Sequence, residues 1–330
     1  MIEGNSPMGT SPNKRNSPRI WVVSGGKSSE SQVSLSSARA VNEALRESFA
    51  DVTHAHLDFA FKRSLTQLSR PDVIFPVTHG SLGEDGSFQG FLNVLGIPYV
   101  GSGVEACALA MNKILAKTVF RATGGIPVAA DIVCCRHDDP ADIANRAMDA
   151  FGGICVTKPA SQGSALGISF CETRSQIVAG IAQALALSHR ALIEPLIVGR
   201  EVTVAVLADP EPRALPPVEV VLSDGARFDF YHRYTLGASS HLCPAPFPVE
   251  MLERLEQIGV AAHKALGCRH YSRTDMLVKD NGEIVVLELN TLPGMTNTSL
   301  YPDAARAAGI PFDELVRRLV ELALVREKDQ

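Results

Sequence analysis

Two neighbouring stretches decide the fold of this chain: Ser272-Arg273-Thr-Asp275-Met-Leu and Val285-Val-Leu-Glu288-Leu-Asn290-Thr-Leu-Pro-Gly294-Met-Thr-Asn-Thr-Ser299-Leu. They belong to two runs of β-strand composition that are separated by Asp280-Asn281-Gly282. An Asn-Gly pair between such runs favours a tight β-hairpin turn. A two-residue turn at Asn281 and Gly282 would pair Asp280 with Glu283, and this is the register that we predict.

Counting outward from that turn sets Asp275 opposite Glu288 and Arg273 opposite Asn290. All four side chains then share one face of the sheet, because side chains alternate between the faces with period two. Two carboxylates directly across a ladder repel each other unless a cation lies between them. Mg²⁺ and Mn²⁺ prefer carboxylate and amide oxygens, often together with substrate phosphates. The pattern is therefore typical either of a divalent-metal site or of an exposed hairpin with scattered charges.

The composition narrows the class of protein. The 330 residues are enough for two or three domains with a sizeable core. A net charge of −5, without a basic block, argues against nucleic acid or an anionic membrane surface as the main partner. The seven cysteines show no repeated short spacing, so we expect a reducing cytoplasm rather than a zinc site or a disulfide framework. No apolar run has the length of a membrane span, and residues 1–18 have the composition of a disordered tail.

The rest of the chain alternates strand-like and helix-like segments, which is typical of an α/β protein. A first strand, Arg19 to Ser24, runs into Gly25-Gly26-Lys27-Ser-Ser-Glu30 and then a helix. Two more strands follow with helical segments between them, and this order predicts an open parallel sheet. The glycine turn has the spacing of neither a P-loop nor a dinucleotide-binding fingerprint. It fits a polar-ligand site at a helix N-terminus and a tight structural turn equally well.

Three further loops are candidates for ligand contact. His79 and its glycines follow the third strand directly, where open α/β sheets bind ligands, although a lone histidine is often a structural group. Lys158 ends an apolar strand and leads into a Gly/Ser/Ala loop, which fits either a lid over phosphates or a surface hairpin loop. Residues 223–241 form a polar stretch that is long for a structureless loop, and we predict a functional lid there.

Six motifs occur in a fixed order along the chain: Ser24-Gly-Gly-Lys-Ser-Ser-Glu30, His79-Gly-Ser-Leu-Gly-Glu-Asp-Gly, Gly96-Ile-Pro-Tyr-Val-Gly, Lys158-Pro with Gly163-Ser164, Arg273 with Asp275, and Glu288-Leu-Asn290-Thr-Leu-Pro-Gly294. In this order and spacing they closely resemble the D-alanine:D-alanine ligases of the ATP-grasp superfamily. The resemblance covers nearly all of residues 19–326. It implies a three-domain α/β ATP-grasp fold with an N-terminal Rossmann-like domain, and we expect domains at residues 19–101, 102–194 and 195–330.

The resemblance also implies an activity and its cofactors. The family joins two D-alanines to D-alanyl-D-alanine through an acyl phosphate, as a step of peptidoglycan precursor synthesis. ATP would lie between the central and C-terminal domains, with two Mg²⁺ ions or Mn²⁺. A cytoplasmic homodimer is the family expectation.

Family roles can be carried over to this chain residue by residue. The nucleotide contacts would be Lys113, Lys158, Glu194, Ile197, Glu201 and Arg233. The metal ligands would be Asp275, Glu288 and Asn290, in agreement with the hairpin count. Arg273 and the backbone N–H of Gly294 would stabilise the oxyanion at the reacting carbonyl. The substrates would be held by Glu30, oriented through Ser164 and Tyr234 with His79 nearby, and by Ser299.

Two departures from the family leave the acceptor open. The usual Lys-Tyr of the mobile loop is Arg233-Tyr234 here, and the usual Gly-Ser-Ser is Gly163-Ser164-Ala165. Tyr234 favours D-alanine as the second substrate, because related ligases that use D-lactate or D-serine replace the tyrosine region of this loop. The alternatives are therefore such a ligase, another ATP-grasp amino-acid ligase, or a catalytically silent nucleotide-binding relative.

Overall fold

The computed structural model describes residues 17–25, 31–58, 61, 65, 70–152, 154–163, 166–222 and 239–325. Its strands, in chain order, are β1 (Arg19–Gly25), β2 (Asp51–Leu57), β3 (Val73–Pro76), β4 (Ile132–Cys135), β5 (Cys155–Pro159), β6 (Ser169–Cys171), β7 (Arg190–Pro195), β8 (Arg200–Ala208), β9 (Pro212–Ala214), β10 (Val218–Leu222), β11 (Ser239–Leu242), β12 (Tyr271–Val278) and β13 (Ile284–Asn290). Its helices are α1 (Ser31–Ser48), α2 (Ser87–Leu95), α3 (Val104–Met111), α4 (Lys113–Thr123), α5 (Pro140–Phe151), α6 (Arg174–Leu187), α7 (Val249–Ala265), α8 (Leu300–Ala307) and α9 (Phe312–Val325).

The first sheet has the strand order β2-β1-β3, and both pairings are parallel. β1 carries the run Ile-Trp-Val-Val, and its residues from Ile20 onward are buried. Such a continuous apolar run suits a central strand that is covered on both faces. The predicted open parallel sheet is confirmed.

The second sheet has the order β4-β7-β5-β6, and all of its pairings are antiparallel. Helices α5 and α6 cover it, and both begin at side-chain caps. The Thr173 hydroxyl and the Gln176 side chain form a capping box at the start of α6, which satisfies backbone N–H groups that a helix leaves unpaired. Because β5 and β6 are antiparallel neighbours, the segment after Lys158 connects the two strands of a hairpin, which is compatible with both alternatives that its sequence left open.

The third sheet has the order β11-β10-β8-β12-β13, and β9 pairs with β8 at its side. We predicted a loop over the whole of 223–241, and this is wrong at its end, because β11 begins at Ser239 and pairs antiparallel with β10. The pairing gives the backbone of β11 hydrogen-bond partners that a solvated loop would lack. The remaining residues of the predicted lid, 223–238, lie outside the described part of the chain.

The two ends of the chain share one hydrophobic core. It combines side chains of β1 and β3, such as Ile20 and Phe75, with side chains of α9, such as Leu319. Tyr271 of β12 and Tyr301 of α8 stack edge to face within it, with ring centroids 5.5 Å apart. The first sheet and the C-terminal helices are therefore held together as one packed unit.

Among the described residues, no helix combines the length and the apolar character that crossing a bilayer requires.

Candidate active site

The turn of the β12–β13 hairpin differs from the predicted one. The backbone N–H of Lys279 donates to the Glu283 carbonyl at 2.8 Å, so the turn has three residues, 280–282, instead of two. Asp280 therefore does not pair with Glu283. Gly282 closes the turn with a φ of +81°, in the left-handed region that glycine adopts without a steric penalty. Three-residue hairpin loops commonly end in such a glycine.

A β-bulge corrects the register further along the same hairpin. Val286 pairs with Met276, but the next residue of β12, Asp275, pairs with Glu288, so that Leu287 is the extra residue on β13. The turn moves the register by one residue and the bulge moves it back. The predicted facing of Asp275 and Glu288 is therefore confirmed, although the predicted turn is wrong.

Asp275 is buried, and its carboxylate accepts four hydrogen bonds from described residues. Its Oδ1 accepts from the Arg273 Nε at 2.7 Å and from the Thr203 hydroxyl at 2.8 Å. Its Oδ2 accepts from the Arg273 Nη2 at 2.8 Å and from the Asn290 amide at 3.1 Å. The predicted cluster of Arg273, Asp275 and Asn290 is thus brought together, with the guanidinium neutralising the carboxylate.

Lys113 connects the carboxylate of β13 to the loop between β5 and β6. Its Nζ lies 3.0 Å from Glu288 Oε2 and donates to the Gln162 carbonyl at 2.7 Å. Its backbone N–H donates to the Ala160 carbonyl at 2.9 Å, and the Asn112 side chain caps helix α4 directly before it. Lys113 is therefore held in place by both its backbone and its ammonium group, rather than being an ordinary solvated helix lysine.

Glu194, at the end of β7, is clamped between two lysines. The Lys158 Nζ lies 2.5 Å from its Oε2, and Lys117 pairs with its Oε1. Burial opposes the ionisation of Glu194, but the charges of Lys158 and Lys117 outweigh burial and hold the pKa of this carboxyl below its usual value. Burial lowers the pKa of Lys117 to about 8. At pH 7 both Glu194 and Lys117 are therefore ionised.

A cavity of about 640 Å³ lies between the second and third sheets. Five predicted nucleotide residues line it: Lys113, Lys158, Glu194, Ile197 and Glu201. Two predicted metal ligands, Asp275 and Glu288, line it as well. Much of the remaining wall is apolar, including Val156, Ile168, Phe170, Leu196, Leu277, Val286 and Leu287. A mostly apolar cavity of this size with a few charged groups is typical of a site for a small molecule.

A second group of predicted residues lies in the loop before α8. A Cβ atom at Gly294 would lie 3.0 Å from the Ser299 hydroxyl, so the loop brings these two residues into close contact. Ser299 is the N-cap residue of α8, and its hydroxyl lies 2.7 Å from that of Thr296. The Met295 N–H donates to the Ser37 hydroxyl at 3.3 Å, which joins this loop to helix α1 of the N-terminal region.

The remaining predicted residues differ in what the structure shows. His79 is buried, with its Nδ1 3.5 Å from Glu84 Oε1. Within the described residues, the wall of the cavity does not include His79, Arg273, Asn290, Gly294 or Ser299. Four predicted site residues lie outside the described part of the chain: Glu30, Ser164, Arg233 and Tyr234.

Two residues of the site were missed from the sequence: Lys117 and Thr203. Lys117 carried a usable signal, because it follows Lys113 by four positions and such residues share one face of a helix. Thr203 carried none, because its contact with Asp275 depends on the pairing of β8 with β12, which lie far apart in the sequence.

Two family models and many known relatives match most of this chain. A model described as the N-terminus of D-ala D-ala ligase matches residues 52–102, and one described as its C-terminus matches residues 120–321. A D-alanine–D-alanine ligase from Desulforudis audaxviator is 43% identical over 309 residues, which is 93% of this chain and 99% of that protein. One from Geotalea uraniireducens is 41% identical over 308 residues, covering 93% of this chain and 96% of that protein.

Solved structures give the same result. The D-alanine–D-alanine ligase from Coxiella burnetii superposes with a TM-score of 0.82 at 27% identity, covering 95% of this chain and 96% of that one. The enzyme from Bacillus anthracis, complexed with ATP, superposes with a TM-score of 0.80 at 30% identity, covering 94% of this chain and 99% of that one.

Proposed function

Because the chain belongs to the D-alanine–D-alanine ligase family, we propose that it joins two D-alanines with ATP in the cavity between its second and third sheets. Its fold is the ATP-grasp fold of these ligases, as the sequence predicted. One observation carries the proposal: the same cavity is lined by five expected nucleotide residues and by the facing carboxylates of β12 and β13.

The nucleotide is assigned to the described wall of this cavity. Lys113 and Lys158 supply ammonium groups for the phosphates, since both line the cavity and flank the loop between β5 and β6. Glu201 serves the ribose hydroxyls, and Glu194 and Ile197 serve the adenine. The apolar side chains of the wall suit the faces of the base. Arg233 is assigned to the phosphates by family resemblance alone.

The donors around Asp275 fit a hard divalent cation. Asp275 and Glu288 offer carboxylate oxygens and Asn290 an amide oxygen, the ligand types that Mg²⁺ and Mn²⁺ prefer. The pairing of Arg273 with Asp275 and of Lys113 with Glu288 supports this proposal, because two facing carboxylates repel each other unless positive charge lies beside them. When bound, the cation would neutralise charge on the nucleotide phosphates and so favour phosphoryl transfer.

The reaction proceeds in two balanced steps. A carboxylate oxygen of the first D-alanine forms a bond to the γ-phosphorus, the bond from that phosphorus to the β–γ bridging oxygen breaks, and ADP leaves. The ammonium of the second D-alanine first loses a proton, the free amine attacks the acyl carbon, and the C–O bond to phosphate breaks, so that phosphate leaves and takes up the second proton that the nitrogen loses. Neither step needs a protein nucleophile, so the chain contributes positioning and charge.

The side chains around the reacting groups have separate roles in this proposal. Arg273 and the Gly294 N–H stabilise the oxyanion, and the contact between Gly294 and Ser299 supports placing the second substrate's carboxylate beside them. Glu30 holds the ammonium of the first D-alanine, oriented through Ser164 and Tyr234. His79 is assigned to the same substrate, next to its partner Glu84.

We also propose the coarse organisation of the protein. Domains at 19–101, 102–194 and 195–330 are supported by the three sheets, each of which falls almost entirely within one of these ranges. A cytoplasmic setting is supported by seven cysteines without a disulfide. A homodimer is supported by the exposed apolar side chains of α2, Phe91, Val94 and Leu95, which a second copy would cover.

The decisive experiment measures phosphate release from ATP and identifies the product by mass spectrometry. We expect release to require both D-alanine and a divalent metal, and we expect D-alanyl-D-alanine to form even when D-lactate and D-serine compete. A product that joins D-alanine to D-lactate or D-serine would support one of the alternative acceptors. The similarity to D-alanine–D-alanine ligases does not favour these alternatives. ATP binding without turnover on any amino acid would favour the silent relative.

A further inference from the structure

Lys117 is a buried cation to which the proposed function assigns no role. Its exposed fraction is only 2%, although it follows the site residue Lys113 by a single helical turn. Its ammonium pairs with Glu194 and lies 3.0 Å from the Asp131 carboxylate. A lysine is almost never buried so completely unless it is paired with opposite charge.

Lys117 and Lys158 bind the same carboxylate from different positions. Lys158 takes one oxygen of Glu194 and lines the cavity, whereas Lys117 takes the other oxygen. In the described part of the chain, the cavity wall includes Lys158 but not Lys117. Lys117 therefore reaches a ligand in the cavity only through Glu194.

The charges of the cluster show what depends on Lys117. Asp131 has a further partner, because it also pairs with Arg121. Glu194 is only 7% exposed, and Lys117 and Lys158 are the two cations that lower its pKa. A buried carboxylate that loses all of its cations is strongly destabilised. If Lys158 left, Lys117 would be the cation that keeps Glu194 paired.

We propose that Lys117 is a positioning residue that keeps Glu194 paired and fixed, and thereby allows Lys158 to leave Glu194 for the phosphates of a bound nucleoside triphosphate. The inference rests on the proposed function, because that function places the phosphates at Lys158. Without Lys117, transfer of Lys158 would leave a buried carboxylate unpaired, so the phosphates would compete with Glu194 for a single lysine.

The test compares nucleotide binding by the wild type and Lys117→Met, measured by isothermal titration calorimetry without D-alanine. We expect the variant to bind ATP at least about 10-fold more weakly, and adenosine within about twofold of wild type, because adenosine does not draw Lys158 away. In turnover, we expect a higher KM for ATP and an unchanged KM for D-alanine. Lys279→Met, which removes an exposed lysine–carboxylate pair, is the matched control and should bind ATP as the wild type does.

A second pair of variants guards against misfolding. In the Glu194→Gln background the carboxylate shared by Lys117 and Lys158 is gone, and Asp131 still pairs with Arg121, so adding Lys117→Met should change ATP affinity by less than about twofold. The inference is overturned if Lys117→Met binds ATP like the wild type, if it loses ATP and adenosine equally, or if its effect is the same in both backgrounds. A wild-type chain that binds no ATP would overturn the proposed function, and this inference with it.

Discussion

At the scale of single residues, four hydrogen bonds from three residues converge on the carboxylate of Asp275. Its partner across the hairpin, Glu288, is held by Lys113 of helix α4. The two carboxylates that the sequence set opposite each other thus depend on two separate networks. The effect of a substitution in one network can therefore be distinguished from the effect of a substitution in the other.

Glu288→Gln tests the metal assignment. The amide keeps the shape of the side chain but removes the charge that a divalent cation needs, so we expect turnover to fall at least about 100-fold. The fold should persist, because Glu288 is only partly buried and Lys113 retains its bond to the Gln162 carbonyl. Steady-state kinetics measures the loss of turnover, a metal titration measures the loss of metal binding, and circular dichroism checks the fold. Glu283→Gln on the same hairpin is the control, and wild-type activity in Glu288→Gln would contradict the assignment.

Thr203→Val tests the support behind Asp275. The substitution keeps the shape but removes the hydroxyl that donates to Oδ1, and outer contacts of this kind typically change metal affinity about 10- to 100-fold. We expect a loss in that range, measured as the metal concentration that gives half-maximal activity and by direct titration. Thr274→Val is a close control, because the buried Thr274 hydroxyl has no hydrogen-bond partner within the described residues. Equal effects in the two variants would show that the Thr203 bond is unimportant.

At the scale of elements, the β12–β13 hairpin shows how far the sequence could be read. Alternation and the Asn-Gly pair were enough to predict two strands and the facing of Asp275 with Glu288. They could not predict the three-residue turn or the bulge at Leu287. Each of these changes shifts the strand register by one residue, and a shift of one residue exchanges the two faces of the strand. The correct facing therefore came from two deviations that cancel.

The charge networks were less accessible from the sequence than the elements were. Most strand and helix positions follow from local pattern, and the structure confirms them. The clamp on Glu194 depends on three elements meeting: α4 with Lys117, β5 with Lys158 and β7 with Glu194 itself. The spacing of four residues places Lys117 on the same face of α4 as Lys113, but no local pattern reports that this face meets Glu194.

The contact between α7 and β12 predicts a dependence of stability on pH. The Nδ1 of the buried His263 lies 2.8 Å from the Ser272 hydroxyl, and burial, with the nearby charge of Lys264, lowers the pKa of this imidazole to about 4. The unfolded chain binds a proton near pH 6.5 and the folded chain only near pH 4. The stability from neutral His263 is therefore fully present above pH 6.5 and is lost as the pH falls towards 4.

The His263 effect can be isolated by substitution. Between pH 7.5 and pH 5 the wild type should lose about 2 kcal/mol through this group, and His263→Asn should lack that part of the loss. Urea unfolding at the two pH values measures the difference. An unchanged pH dependence in His263→Asn would mean that the imidazole does not titrate as its burial requires.

At the scale of the whole molecule, the proposed active site needs parts that are distant in the sequence to keep fixed positions relative to one another. The cavity lies between the second and third sheets, while the Gly294 loop is tied to α1 beside the first sheet. Helix α9, the last element, packs against α1 and β3 and completes the core that Ile20 and Phe75 begin. The packing of α9 against α1 and β3 fixes the N-terminal region relative to the loop of Gly294 and Ser299.

Leu319→Ala tests this closure. Leu319 is fully buried in the core shared by the first sheet and α9, so the cavity left by the substitution should lower the free energy of unfolding by about 2 to 5 kcal/mol. Because the N-terminal region carries the proposed site for the first D-alanine, KM for D-alanine should rise, whereas ATP affinity, which depends on the other two sheets, should stay close to wild type. Urea unfolding, steady-state kinetics and calorimetry at a temperature where the variant is folded measure the three quantities. Leu187→Ala, at a leucine that is 46% exposed on α6, should change the unfolding free energy by less than about 0.5 kcal/mol. Equal losses of D-alanine and ATP binding in Leu319→Ala would show instead that the N-terminal sheet and the nucleotide cavity respond as one cooperative unit.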